Sequence, residues 1–260
     1  MTYLARAVRS ELAKLSWWHS TWYSVVPLAV AIPLALNFAI AKAAESNTIN
    51  GGGGMDTNNA AYWILIFSTF ILMSAGVSSF CGEFKDDTID TVFAIQSRRR
   101  LLPFAKLIVF GAIAAVAAGL TTFVVLWGFP HLFPTIWGRV DVFSADGLRL
   151  LFGVPVFTVL ICALGLGLAA LLPKPGLVVM VVLLWKFGIE VFVTFVPGDL
   201  GTLLQRLAPF KNGELGVGQL ATFDSLFGGQ NGSLLYFAAV SVAIFVLGVV
   251  RMSRTDVSGD

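Results

Sequence analysis

Lys186 and Glu190 stand four residues apart inside a long apolar run, where a charge is costly and by default marks an ion or proton path. On a helix the two would share a face and can pair. A mutually neutralising pair, or contacts to a neighbouring helix, accounts for them as well as transport does. The other reactive residue types give less. Cys81 and Cys162, the only cysteines, sit at the end of one apolar run and inside another, and read as inert buried thiols. His131 has no metal-ligand spacing to His19, so no metal site is assigned. The glycine run 51–54 lacks the Gly-x4-Gly-Lys-Ser/Thr pattern and no lysine follows to reach a phosphate, so it reads as a flexible turn. With no His-Glu-x-x-His, no paired intramembrane aspartates and no placed Ser/His dyad, no catalytic residue is assigned and an intramembrane enzyme ranks last.

The elements that must position these residues are membrane spans. The 260 residues are 57% hydrophobic and 12% charged, with a mean hydropathy of +0.84, whereas soluble domains carry about 25% charged residues. The net charge of +2 is too small to suggest a nucleic-acid partner. The reading is an all-α integral membrane protein, one transmembrane domain over 1–260, with six spans at about 22–40, 60–80, 107–127, 150–172, 176–196 and 234–250. No cleavable signal peptide is expected, and the tail after Arg254 is too short for a domain.

Ahead of the first span, Leu4, Val8, Leu12 and Leu15 line one helical face and Arg6 and Arg9 the other, with Trp17, Trp18, Trp22 and Tyr23 following. That pattern predicts an interfacial helix. Glu11 lies near its apolar arc and needs a partner there. Pro27 and Pro33 interrupt the first span, which is tolerated where neighbours satisfy the freed backbone. Ser68, Thr69, Ser74, Ser78 and Ser79 in the second span can bond to the helix or to a neighbour. The aromatic loop around residues 129–137 suits the outer interface. Gly165 and Gly167 in the fourth span allow close helix approach. Between the fifth and sixth spans, residues 200–207 read as an amphipathic helix and 213–227 as another broken by glycines, a segment able to re-enter the membrane.

Lysine and arginine placement sets the topology. With the N-terminus inside, the inner side holds Arg6, Arg9, Lys14, Lys85, Arg98, Arg99, Arg100, Lys106, Lys174, Arg251 and Arg254, against Lys42, Arg139, Arg149, Arg206 and Lys211 outside. The positive-inside rule therefore expects both termini in the cytoplasm.

Residues 81–106 then form an inner segment that opens with Glu83, Asp86, Asp87 and Asp90 and closes on Arg98, Arg99 and Arg100. Asp86 and Asp87 suit a helix N-terminus, and Ile89, Val92 and Phe93 would make one apolar face. About two turns are too short to be stable alone, so the expectation is a cytoplasmic docking helix over 87–95, with Arg98 to Arg100 as its membrane-side anchor against anionic headgroups. An ordinary solvated loop whose arginines only set topology is the plainer alternative.

Glu83-Phe84, Asp87-Thr88, Arg98 to Arg100 and Ala105-Lys106 resemble the pattern of bacterial ATP-binding-cassette type-2 permeases. Further matches are Glu11 and Lys14 in the N-terminal helix, and Trp185 and Glu190 in the fifth span. The resemblance covers nearly the whole chain. It departs at Asp87, where the family often has glycine, at Gln96, where it often has proline, and at Lys186. It implies a six-span export subunit in the bacterial plasma membrane, with an interface helix carrying Glu11 and Lys14. A coupling helix carrying Glu83, Asp87, Thr88, Ile89, Val92 and Phe93 would seat a separate ATPase. The partners it implies are that ATPase, which would hold ATP and magnesium, a second permease copy, identical or related, and membrane lipid. The chain itself would be no enzyme and hold no cofactor. Apolar spans suit amphipathic cargo and plain helix packing equally well. The competing reading is an ion- or proton-coupled transporter or channel centred on Lys186 and Glu190.

Overall fold

The computed structural model describes residues 3–46, 54–85 and 100–254. It is helical throughout, with no strand among the described residues. Six helices are long and apolar enough to cross a membrane: Thr21–Glu45, Thr57–Lys85, Leu101–Leu132, Ala145–Leu171, Pro175–Val193 and Gln230–Arg254, called spans one to six below. Each overlaps its expected segment, and most run past it because the helix continues into polar flanks that hydropathy cannot see. Span three begins at Leu101, so Pro103 falls in the first turn, where its missing N–H costs nothing. Lys106 is thereby carried inside the helix.

Span four is the central helix and packs on spans two, three, five and six. Its crossing with span six depends on a missing side chain: a Cβ at Gly167 would stand 2.6 Å from the Phe245 backbone. This is the close approach that small residues permit. Span one tolerates Pro33 through a neighbour. The proline lacks the N–H that would bond Ala29 four residues back, and Ser68 Oγ of span two donates to that carbonyl oxygen at 2.6 Å.

The spans alternate in direction, which segregates two ends. At one, the connections after spans one, three and five meet: Met55 N donates to Ile136 O at 2.7 Å, and Gln219 Nε2 donates to Asn59 Oδ1 at 2.6 Å. At the other, called the basic end, lies the N-terminal helix Tyr3–Lys14. It turns Ala7 and Glu11 into the bundle and leaves Leu12 exposed, a rotation from the expected leucine face that Glu11 explains below.

Two further expectations change. The aromatic loop folds into the short helices Phe129–Leu132 and Pro134–Trp137, and Phe129, Phe133 and Trp137 are buried rather than at the interface. The rings of Phe129 and Trp137 pack at 4.9 Å, because apolar area is better hidden against one another than left at the surface. Between spans five and six, helix Gly198–Leu207 is followed by Pro209–Gly216, and not by a helix over 213–227. Pro209 supplies the preset first helical position, and Gly218, at φ +103°, stops the run in a conformation that other residues avoid. Helix Pro209–Gly216 re-enters the bundle, with Phe210, Asn212, Gly213 and Gly216 buried.

Candidate functional site

The basic end holds a four-residue ion cluster built by three elements. Glu11 comes from the N-terminal helix, Glu83 from the last turn of span two, and Lys106 from the start of span three. Lys106 is 0% exposed and uses all three ammonium protons. It donates to Glu11 Oε2 at 2.7 Å, Glu83 Oε1 at 3.1 Å and Ser79 Oγ at 2.9 Å. Lys14 closes the cluster from its exposed side, donating to Glu11 Oε1 at 2.7 Å and to Glu83 Oε1 at 2.6 Å. Two carboxylates thus face two ammonium groups. Partial burial alone would lower the Lys14 pKa, but hydrogen bonds and charge from Glu11 and Glu83 outweigh it and hold the group above its ordinary value. The partner Glu11 needs is therefore found. Turning that carboxylate inward sets the rotation of the whole N-terminal helix and leaves Leu12 outward.

Glu83 and Lys106 lie on the two stems of the charged segment, two residues before its last described residue, Lys85, and six after Arg100, where description resumes. Arg100 is exposed at the start of span three. The expected docking residues Asp87, Thr88, Ile89, Val92 and Phe93, and the anchors Arg98 and Arg99, lie outside the described residues.

At the opposite end, Lys186 and Glu190 do not pair with each other. Lys186 forms its ion pair with Glu214. Glu190 accepts from two backbone amides, Phe210 N on Oε1 and Lys211 N on Oε2, both at 2.9 Å. The physical reason is local winding: Leu184–Ile189 is π-helical, so residues four apart no longer stack as on an α-helix. Glu190 stands in the last turn of span five rather than near its middle. Because Pro209 has no N–H, Phe210 and Lys211 offer the first free amides of the re-entrant helix, and a carboxylate there also suits the positive end of its dipole. The other end of that helix is held with the opposite sign. Arg149 donates from Nε and Nη2 to Gly216 O at 3.0 and 2.7 Å, and from Nη2 to Asn231 Oδ1 at 2.8 Å.

The middle of the re-entrant helix is fixed by packing. A Cβ at Gly216 would lie 2.7 Å from Leu234 Cα. The Phe210 ring meets Trp185 edge-on at 5.5 Å. Asn212 Nδ2 donates to Arg206 O and Ala208 O, while its Oδ1 accepts from Ser233 Oγ. Sequence reading singled out neither Glu214 nor Arg149 as a partner. The usable signal is that the buried Lys186 needs an acid, but the sequence does not choose among Asp199, Glu214 and Asp224, and nothing in it points Arg149 at the Gly216 carbonyl.

Among the described residues no three His, Cys, Asp or Glu side chains gather as a metal set. Comparison with protein-family models, with curated proteins and with solved structures finds no match to this chain.

Proposed function

We propose that this chain is the membrane permease subunit of an ATP-driven exporter of the ATP-binding-cassette type-2 kind, working with a separate ATPase. The observation that carries the reading is the basic-end cluster. One group of charges joins the N-terminal helix, the end of span two and the start of span three, and it does so on the stems of the segment expected to dock. Force applied to residues 87–95 would reach spans two and three along the chain itself, and the N-terminal helix through the ion contacts of Glu83 with Lys14 and of Lys106 with Glu11. In this mechanism the ATPase, carrying ATP and magnesium, closes and shifts the docking helix, and the rigid spans relay the shift to a path between two permease copies.

The second copy has a natural face. Only 22% of the apolar stretch in spans one and five is buried, against 61% in spans two and four, and spans one and five both pack on span two. The basic residues gathered at the end that carries both termini favour a cytoplasmic placement of that end in a bacterial plasma membrane. The ion-coupled alternative is weakened by the partners of its two residues: Lys186 and Glu190 are engaged in holding a helix.

The test is isolation of the intact complex. An ATPase should co-purify, and Phe93→Asp should release it and abolish ATP-dependent transport. A complex without any ATPase, together with transport that survives Phe93→Asp, would defeat the reading. Transport persisting in ATP-depleted vesicles but lost in Glu190→Gln would favour ion coupling instead.

A further inference from the structure

Spans one and three do not close on each other along their whole length. Between them lies a cleft of about 470 Å³, within the range of about 300–1,000 Å³ typical of small-molecule sites. Trp22, Val26 and Val30 form one wall, and Ile113, Val116 and Leu120 the other. The single hydroxyl in the lining, Thr121 Oγ1, is spent on its own helix, donating to Ala117 O at 2.7 Å. The lining is otherwise almost wholly aliphatic, with the Trp22 ring at one end, so the cleft suits hydrocarbon. On span three the lining runs from Ala112 to Val124, about 18 Å of helix rise, comparable to an extended acyl chain of about 14 carbons.

The N-terminal helix adds a second, independent observation. Its Val8 and Leu15 pack on the Val109–Phe110 cluster together with Val25 and Ile113, and Ile113 is itself part of the cleft wall. The helix that rests there presents Arg6 and Arg9 on its exposed side. Neither has an acidic partner among the described residues, in contrast to Lys14. Arginine is the side chain suited to bidentate binding of phosphate.

We propose that the cleft between spans one and three and the arginine face of the N-terminal helix together hold one anionic phospholipid, an acyl chain in the cleft and the phosphate at Arg6 and Arg9. The inference requires only that the chain sits in a membrane, and it stands or falls apart from the exporter reading. Such a lipid would wedge the N-terminal helix against span three, beside the ion cluster.

The experiment uses the full chain in nanodiscs of equal palmitoyl-oleoyl phosphatidylglycerol and phosphatidylcholine. Native mass spectrometry after gentle release should find one phosphatidylglycerol retained in preference to phosphatidylcholine. A phosphatidylglycerol with a diazirine on its acyl chain should cross-link to residues 113–120 at least about tenfold more than to Leu235 and Leu247 on the exposed face of span six, a cleft selectivity that lipid in free exchange would not give. Val116→Trp, at a position 61% exposed and so free to enlarge without disturbing the core, should abolish the cleft labelling. Each of Arg6→Gln and Arg9→Gln should lower the phosphatidylglycerol preference about fivefold. Equal labelling of cleft and span six, equal retention of the two lipids, or labelling unchanged by Val116→Trp would each mean annular lipid only and overturn the proposal.

Discussion

The two polar regions solve the same problem, charge inside an apolar bundle, by different means. At the basic end, charges answer charges: Lys106 is met by Glu11 and Glu83, and Lys14 by the same two acids. At the opposite end one ion pair also forms, Lys186 with Glu214, but the two ends of the re-entrant helix are held by charge against backbone: Glu190 caps its start and Arg149 its end. A helix end is a fixed partner, with its donors or acceptors set by the backbone. An ion cluster is a set of side chains that can exchange partners while remaining neutral. The first arrangement holds a part still, and the second allows joined parts to shift. Under the proposed exporter function, motion would enter through the cluster and be resisted at the clamped helix.

The largest expected effect comes from removing the lysine that is completely buried. Lys106→Met leaves two acids facing only the half-exposed Lys14, and loss of one partner of a buried ion pair costs about 3–5 kcal/mol. Stability in detergent against chemical denaturant should fall by that amount. If neutrality is what the cluster needs, Lys106→Met with Glu11→Gln should recover a good part of the loss. Recovery absent in the double variant would mean that the individual hydrogen bonds matter and partner exchange does not.

Breaking the opposite end should cost somewhat less. Glu190→Ala removes two charge-assisted bonds and leaves two amides unanswered, a loss of about 3 kcal/mol. Glu190→Gln keeps one acceptor and should cost about half as much. Arg149→Met should cost about 1.5–3 kcal/mol, because a single carbonyl loses its charged donor. Hydrogen exchange locates both effects: protection should drop in Pro209–Gly216 and stay unchanged in the N-terminal helix. Exchange that rises equally in the two regions would show one cooperative unit and remove the contrast between them.

The sequence made the spans legible, because about 20 apolar residues are needed to cross a bilayer and such runs are local. The helical pattern marks Glu11 as needing a partner, and the resemblance adds Lys14, Glu83 and Lys106. Neither says who meets whom. Joining Glu11 to Lys106 depends on a contact 95 residues apart, and hydropathy carries no such information. Of the two structural readings open for Lys186 and Glu190, a mutual pair or contacts to a neighbouring helix, the structure has the second: spacing of four implies a shared face only on an α-helix, and the π-helical turn Leu184–Ile189 breaks that premise. The re-entrant helix begins four residues before the expected 213–227 segment, because its glycines do not act as breaks. Gly213 and Gly216 are instead its packing face against spans four and six.

The smallest expected effect isolates the backbone-answering mode from charge altogether. Ser68 donates to the Ala29 carbonyl that Pro33 leaves without its usual partner. Ser68→Ala should therefore cost about 1 kcal/mol, within the range measured for hydrogen bonds between membrane helices. Pro33→Ala restores an N–H in span one that can reach Ala29 directly, so Ser68→Ala should become nearly neutral in that background. A double-mutant cycle on denaturant midpoints measures the coupling. Equal costs of Ser68→Ala in both backgrounds would show that the hydroxyl does not stand in for the missing amide. The comparison between the two ends would then rest on charge alone.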